Sequence, residues 1–513
     1  MAAGSRPVLA GVAQWIARDL DPASSPDPGV LMAQLAHQAA EDAGGGRRLL
    51  ERIDTVGLIP VAGWAPENGP RRIAEEIGVA AAKEIETGTG GEIGLTLVNA
   101  VAERIARGES GVALVTGCNL FRVLEDAGRT GAMPEWVTPG ALDPDSPKPA
   151  RTGAPEVLGH SKMGHDAHEA RHGLDAPIHV YPLIENALRA RRGRSLDAHR
   201  DALGRLFAPF TRVAAKNPYA WFPVERSARE LVEPTGANRM IAYPYTKYLN
   251  AVLATNQAAA LLLCSEEEAD RLGIARERRV HWLGGAHTEE RAWLVSQRPE
   301  VGGAPSMRAC AERLGARTGL AAADFDALDF YSCFPVAVEL ACEAYGVAED
   351  DPRGLTVTGG LPYAGGPGSA YTLHSVAAMA ERLRERPGAR GLTTGNGWYL
   401  TKHSACAWAS GDPGAAPAAR AAERDEPAVA GPEPLAREDA ARGPARVVAY
   451  TVDYDRSGAP ARGIVVGETD AGRRFVANTP DDPAWLADFA AEERVGATGT
   501  VAPDGARLRF DAR

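Results

Sequence analysis

Apolar residues fall into two alternating periods along the first 410 positions. Residues 8–13 and 53–61 are short apolar runs, and residues 111–117 (GVALVTG) are an apolar run closed by glycines, the pattern of a strand buried on both faces. Between them, Leu31, Leu35 and Ala39 recur at helical spacing until glycines 44–46 end the run, and residues 71–77 predict a short helix. Residues 93–105 are apolar nearly all round (Leu95, Leu97, Val98, Ala100, Val101, Ile105), which predicts a helix enclosed on every side. The pattern then repeats. Residues 256–265 (NQAAALLLCS) and 280–285 predict strands, residues 305–314 a helix, and residues 329–335 (DFYSCFP) the end of a strand opening into a helix that runs to Tyr345. Strands alternating with helices predict a layered α/β fold.

The period changes after residue 410. Residues 411–444 are rich in Ala, Pro, Glu and Arg without aromatics, and predict a partly disordered linker. Beyond it, residues 446–454, 462–469 and 473–477 read as strands separated by the turns Ser457-Gly458 and Asp470-Ala471-Gly472. Residues 483–492 look helical, and residues 496–501 and 506–510 form a hairpin across Pro503-Asp504-Gly505. Five short strands and one helix predict a small all-β, OB-like barrel.

A chain of 513 residues exceeds one ordinary domain, and 45% hydrophobic with 24% charged residues is a soluble globular balance. The formal net charge of −11 argues against general nucleic-acid binding, while leaving room for a local basic patch facing a phosphate-bearing ligand. Six scattered cysteines fit reduced thiols and a cytoplasmic location. No apolar leader and no bilayer-length run is present, so no membrane partner is expected. His165, His168 and His172 can share a helical face, with His160 nearby, but no carboxylate or Cys pattern completes a ligand set, and no metal is expected.

Candidate chemistry concentrates in residues 354–410. The run 355–358 feeds a glycine-dense loop at 359–368, a periodic helix follows at 371–384, and a second glycine turn, Gly395-Asn396-Gly397, follows the run 391–394. Glycine permits positive φ and close approach of another group. Two such loops at strand ends suggest two walls of a pocket, or else ordinary strand–turn–helix punctuation. The polar residues on or beside them, Tyr363, Tyr371, His374, Asn396, Lys402, His403 and Cys406, point to a site.

These loops carry a resemblance. Gly359-Gly360 followed by Gly365-Gly366-Pro367-Gly368, and later Thr393-Thr394-Gly395-Asn396-Gly397, resemble the Gly-Gly-(four residues)-Gly-His-Pro-x-Gly and Cys-x-Gly-Gly loops of thiolases. With the C-terminal module, the chain resembles the thiolase-like proteins of type 1, which look like sterol-carrier-type thiolases but lack their catalytic residues. The resemblance implies a duplicated, layered α/β/α/β/α fold: an N-terminal half at 1–118, a loop domain at 119–240, a C-terminal half at 241–410, the linker, and the β module at 445–513. It implies an acyl-CoA thioester as substrate, no further cofactor, and a monomer or homodimer. It also implies that the β module stands in cis for the OB-fold partner of thiolase-fold aldolases.

The thiolase chemistry itself is missing. Gly91 stands where the nucleophilic Cys belongs, Gly366 where the His belongs and Thr394 where the second Cys belongs. Acyl transfer through an acyl-cysteine, the acetyl-CoA acetyltransferase reaction the resemblance would imply, lacks its nucleophile, its activating His and its second Cys, and ranks behind two other readings. These are enolate or aldol-type carbon–carbon chemistry on an acyl-CoA, or a CoA-binding module without turnover. For the first, Tyr331 in the DFYSCFP loop and Tyr371 after the glycine loop resemble the tyrosines of thiolase-fold aldolases, with His374 and His403 placed to tune them and Cys333 beside them. Backbone N–H groups of Gly365, Gly366, Gly368, Gly395 and Gly397 would hold the enolate oxygen, and Tyr363 and Asn396 would line the pocket. The aromatic pair reads equally as core filler with satisfied hydroxyls. Arg191 and Arg192, between Arg189 and Arg194, read either as cations at a helix C-terminus or as a grip on coenzyme A phosphates.

Overall fold

The computed structural model describes residues 5–143, 146, 153–412 and 427–512. One large mixed sheet runs through both halves in the order Ala327–Asp329, Arg390–Gly397, Lys402–Ser410, Val280–Glu290, Pro7–Ile16, Asn256–Ser265, Val112–Leu120, Thr55–Ile59, Lys83–Thr87, Glu156–Leu158. The antiparallel pair Pro7–Ile16 and Asn256–Ser265 joins the halves. Residues 258–264 of the second strand are inaccessible to solvent, as a strand with helices on both faces requires. Helix Ile93–Ala106 is enclosed as its all-round apolar sequence predicts, and packs with helix Tyr371–Arg384 in one core against that sheet. The layered α/β thiolase-like fold expected from the sequence is the one observed. No helix among the described residues is long and apolar enough to cross a membrane.

Among the described residues of 119–240, helices Pro177–Arg191 and Leu196–Ala214 are the longest elements, and the short strand Glu156–Leu158 joins the main sheet. The C-terminal strands Gly443–Tyr454, Pro460–Thr469, Arg474–Asn478, Thr498–Asp504 and Arg507–Ala512 close into a five-stranded barrel around Tyr450, Phe475 and Phe510. Closure removes every free edge within the barrel. The first barrel strand also pairs with Met240–Ala242, and Asn186 Nδ2 donates to the Tyr450 carbonyl at 3.0 Å, so the barrel is fastened to the helical region.

Three local expectations are corrected. Residues 355–358 form no strand: the Thr356 hydroxyl and the Val357 N–H both donate to the Asp329 carboxylate at 2.8 Å, which draws this segment around the acid. Gly395, Asn396 and Gly397 end strand Arg390–Gly397, and the turn follows them, with left-handed Trp398 (φ 49°) and Leu400 (φ 61°). The described part of the expected linker is not free. Ala428–Ala430 adds a parallel strand to Val280–Glu290, and Arg437 is paired with Asp166 at 2.6 Å; the remainder, 413–426, lies outside the described residues.

Candidate active site

The site is built where loops from both halves meet. Strand Ala327–Asp329 delivers the fully buried Asp329, which also accepts from Ser375 Oγ at 2.5 Å and so ties the DFYSCFP loop to helix Tyr371–Arg384. Tyr331 N donates to Thr394 Oγ1 at 2.9 Å, fixing the same loop to strand Arg390–Gly397. Gly365 must be glycine: its φ is 102°, and a Cβ there would lie 2.3 Å from Gln257 Oε1.

These contacts surround a cavity of about 610 Å³. Gly90, Gly91, Tyr331 and Asn396 form its inner end, Tyr181, Phe334 and Leu361 its apolar walls, and the partly exposed Ile178 and Leu253 its mouth. Gly366 and Gly368 line it as well. No Asp, Glu, Lys, Arg or His is among the described residues that line it.

Gly91 and Tyr331 decide what this cavity can do. A Cβ on Gly91 would lie 2.1 Å from the Tyr331 hydroxyl and 2.4 Å from the Asn396 carbonyl oxygen. The phenol thus occupies the space a side chain at position 91 would need, beside the N-terminus of helix Ile93–Ala106. Burial, reinforced by Cys333, Tyr371 and Glu92, raises its pKa well above the usual phenol value, which favours the protonated hydroxyl, a potential donor. Asn396 Nδ2 donates to Tyr181 Oη at 2.9 Å and to Cys333 Sγ at 3.7 Å; the Tyr181 hydroxyl in turn donates to the Trp398 carbonyl. Burial pushes the Cys333 thiol up to about 12, which leaves it protonated and a poor nucleophile.

Behind the inner wall lies a buried ion pair. Lys402 Nζ is 2.9 Å from Glu92 Oε1 and donates to the Thr89 carbonyl at 2.7 Å. A Cβ on Gly397 would meet Glu92 Oε2 at 1.8 Å, and one on Gly395 the Glu92 Cα at 2.8 Å, so these glycines make room for an acid rather than face a ligand. Burial raises the Glu92 pKa against the opposing pull of Lys402.

Several expected site residues lie elsewhere. Tyr371 packs edge-on against Tyr331 with ring centroids 5.4 Å apart, but it does not line the cavity, and its hydroxyl shares a 2.6 Å hydrogen bond with Thr358 Oγ1. The two rings are in contact, but of the pair only Tyr331 lines the cavity. His374 is hydrogen-bonded to Gln14 Oε1 at 2.9 Å, and burial lowers its pKa to about 4. His403, lowered to about 3 by burial, faces a separate void that also touches Tyr331 and Asn396. Tyr363 packs its ring edge-on against Phe207 in the core, away from the cavity. Arg191 and Arg192 face acids rather than a ligand: Arg191 pairs with Glu343 at 2.5 Å and Glu300 at 3.1 Å, Arg192 with Glu339 at 2.5 Å and Glu349 at 2.7 Å. With their donors so committed, neither is placed to grip phosphates. The four histidines do not converge: His160 bonds Glu289 at 2.9 Å, and His172 accepts from Leu508 N of the barrel at 2.9 Å.

Sequence reasoning missed Tyr181, Phe334 and Glu92. Tyr181 reads as one more apolar position of a buried helix. Glu92 had a signal in hindsight, an acid between a glycine pair and an apolar helix.

The family model of the thiolase-like protein type 1 additional C-terminal domain matches residues 428–506. A solved structure, a monomeric SCP2-thiolase like protein type 1 from Mycobacterium smegmatis, is 32% identical, with 99% of each chain covered and a TM-score of 0.78. The chain belongs to the thiolase-like proteins of type 1. Among curated proteins, the benzoylsuccinyl-CoA thiolase subunit BbsB of Thauera aromatica is 31% identical over 144 residues, and the match spans 34% of its length. The Ltp2-ChsH2(DUF35) aldolase shares the fold at 16% identity, with 80% of this chain covered, all of the other chain, and a TM-score of 0.58. In this thiolase-like protein of type 1, the Tyr331 hydroxyl fills the space a side chain at position 91 would need.

Proposed function

We propose that the cavity binds an acyl-CoA thioester and that Tyr331 serves bond making or breaking next to its carbonyl, without an acyl-cysteine. The observation that carries this is the Tyr331 hydroxyl over Gly91 at the inner end of an apolar cavity. The acyl chain takes the apolar walls, and its oxygen accepts a hydrogen bond from Tyr331 Oη. A preorganised neutral donor in a largely apolar site stabilises charge developing on that oxygen as an enolate or alkoxide forms, and water entering at the exposed mouth takes the proton that leaves. Asn396 and Tyr181 hold the inner end in place, and Cys333 stays a thiol. The thioester is the substrate, with no further cofactor. The relatives support the reading by name: one is a thiolase subunit for a CoA thioester, another an aldolase. Six buried thiols suit a reducing cytoplasm.

A second reading, a CoA-thioester-binding module without turnover, is favoured by one observation: no ionisable base lines the cavity among the described residues. Incubation with β-hydroxyacyl- and β-ketoacyl-CoA thioesters, followed by mass spectrometry, separates the two. Release of an aldehyde or ketone that is lost in Tyr331→Phe supports the first reading, and tight binding with no product supports the second. An acyl adduct on Cys333 defeats both.

A further inference from the structure

Away from the cavity's lining, Glu185, His199 and Glu339 meet in the core on helices Pro177–Arg191, Leu196–Ala214 and Pro335–Tyr345. All three are at most 1% exposed, and their donor atoms lie within 4.8 Å of one another. His199 Nε2 is 2.8 Å from Glu185 Oε1. Glu339 Oε2 is fully buried and has no hydrogen-bond partner among the described residues, although its side chain faces Glu185. Two carboxylates in contact inside a protein demand a proton or a cation between them.

We infer that Glu185, His199 and Glu339 form a structural site for a first-row divalent cation, with zinc the best match to one imidazole and two carboxylates.

The outer contacts of the two carboxylates fit that assignment, while His199 Nδ1 is buried with no hydrogen-bond partner among the described residues. Each carboxylate has its other oxygen held: Glu185 Oε2 accepts from the Tyr245 hydroxyl, and Glu339 Oε1 is 2.5 Å from Arg192 Nη1 and 3.1 Å from Arg194 Nη1. Such contacts orient metal-binding carboxylates. The charge balance fits too. Glu185, Glu300, Glu339, Glu343 and Glu349 stand in one network against Arg191, Arg192 and Arg194, an excess of two negative charges. A divalent ion between the two buried carboxylates offsets that excess.

The position gives the ion its role. Glu185 follows the cavity residue Tyr181 by one helical turn, and helix Pro335–Tyr345 starts directly after Phe334; Tyr181 and Phe334 stack with centroids 4.4 Å apart. An ion at this junction fastens the two helices that carry one wall of the cavity.

The test is elemental analysis of the full-length chain, produced in zinc-supplemented medium and desalted. The expected result is about one equivalent of zinc per chain, lost in His199→Gln and in Glu339→Gln. A crystal of the wild-type chain diffracted at the zinc edge needs no variant and should place one anomalous peak among the three side chains. Less than about 0.1 equivalent of any first-row divalent ion, in protein refolded with zinc present, overturns the assignment in favour of a shared proton. Zinc retained in both variants, or an anomalous peak elsewhere, overturns it as well.

Discussion

At the residue scale, position 91 explains why the thiolase nucleophile cannot simply be restored. Gly91→Cys places a Cβ against the Tyr331 hydroxyl and the Asn396 carbonyl, so the chain should lose about 1–3 kcal/mol, as overpacked cores do. Denaturant unfolding measures that loss, and acetyl-CoA should leave no adduct on the introduced thiol; an acetylated thiol at position 91 in a stable Gly91→Cys chain contradicts the account. Lys402 is a second such residue. Lys402→Met leaves Glu92 buried without its partner, at a cost of roughly 3–5 kcal/mol, and Glu92→Gln should restore much of it in the double variant. The sign with pH follows from the raised Glu92 pKa. A carboxyl whose folded pKa is raised contributes stability below its unfolded pKa and loses it as pH rises through its folded pKa. Lys402→Met should therefore gain stability on acidification, opposite to ordinary acid lability, and unfolding curves of the single and double variants at several pH values would show it.

At the scale of elements, the barrel's attachment carries its own pH dependence. His172 is fully buried at the interface with strand Arg507–Ala512, and burial lowers its pKa to about 4. A base with a depressed folded pKa contributes stability above its unfolded pKa of about 6.5 and loses it as pH falls towards the folded value. Protonation also removes the acceptor for Leu508 N. Hydrogen exchange in residues 507–512 should rise as pH falls from neutral towards 4, once corrected for the intrinsic rate, and the rise should flatten in His172→Gln. Protection in 507–512 that ignores pH contradicts this.

The long periodic elements were legible because burial alone decides them. Residues 93–105 are apolar all round, and GVALVTG has glycine at both ends. What escaped depends on partners far along the chain. Residues 355–358 look like a strand until Asp329 captures their donors, and Ala428–Ala430 looks like linker because its pairing partner, Val280–Glu290, supplies the sheet. The Arg189–Arg194 cluster suggested a phosphate grip because Glu339, Glu343 and Glu349 lie some 150 residues later. At the inner end of the cavity, the glycines were visible in the sequence, and the Glu92 side chain that Gly395 and Gly397 accommodate was not.

At the scale of the whole molecule, the sheet ends in the three-residue strand Glu156–Leu158, which covers Lys83–Thr87 in the N-terminal half. So short an edge is a poor template for pairing with a second chain. The chain should sediment as a monomer of 54.0 kDa, and a stable dimer would show that this strand does not close the edge. Loops from both halves of the fold converge on one cavity in which Gly91 sits under the Tyr331 hydroxyl, and the proposed function assigns its chemistry to that phenol. The most direct test of that claim is proton exchange at the carbon next to the thioester. An acyl-CoA incubated with the chain in heavy water should gain deuterium at that carbon by mass spectrometry, at a rate at least about tenfold lower in Tyr331→Phe. Exchange that is equally fast in Tyr331→Phe, or a bound thioester that never exchanges, would contradict it.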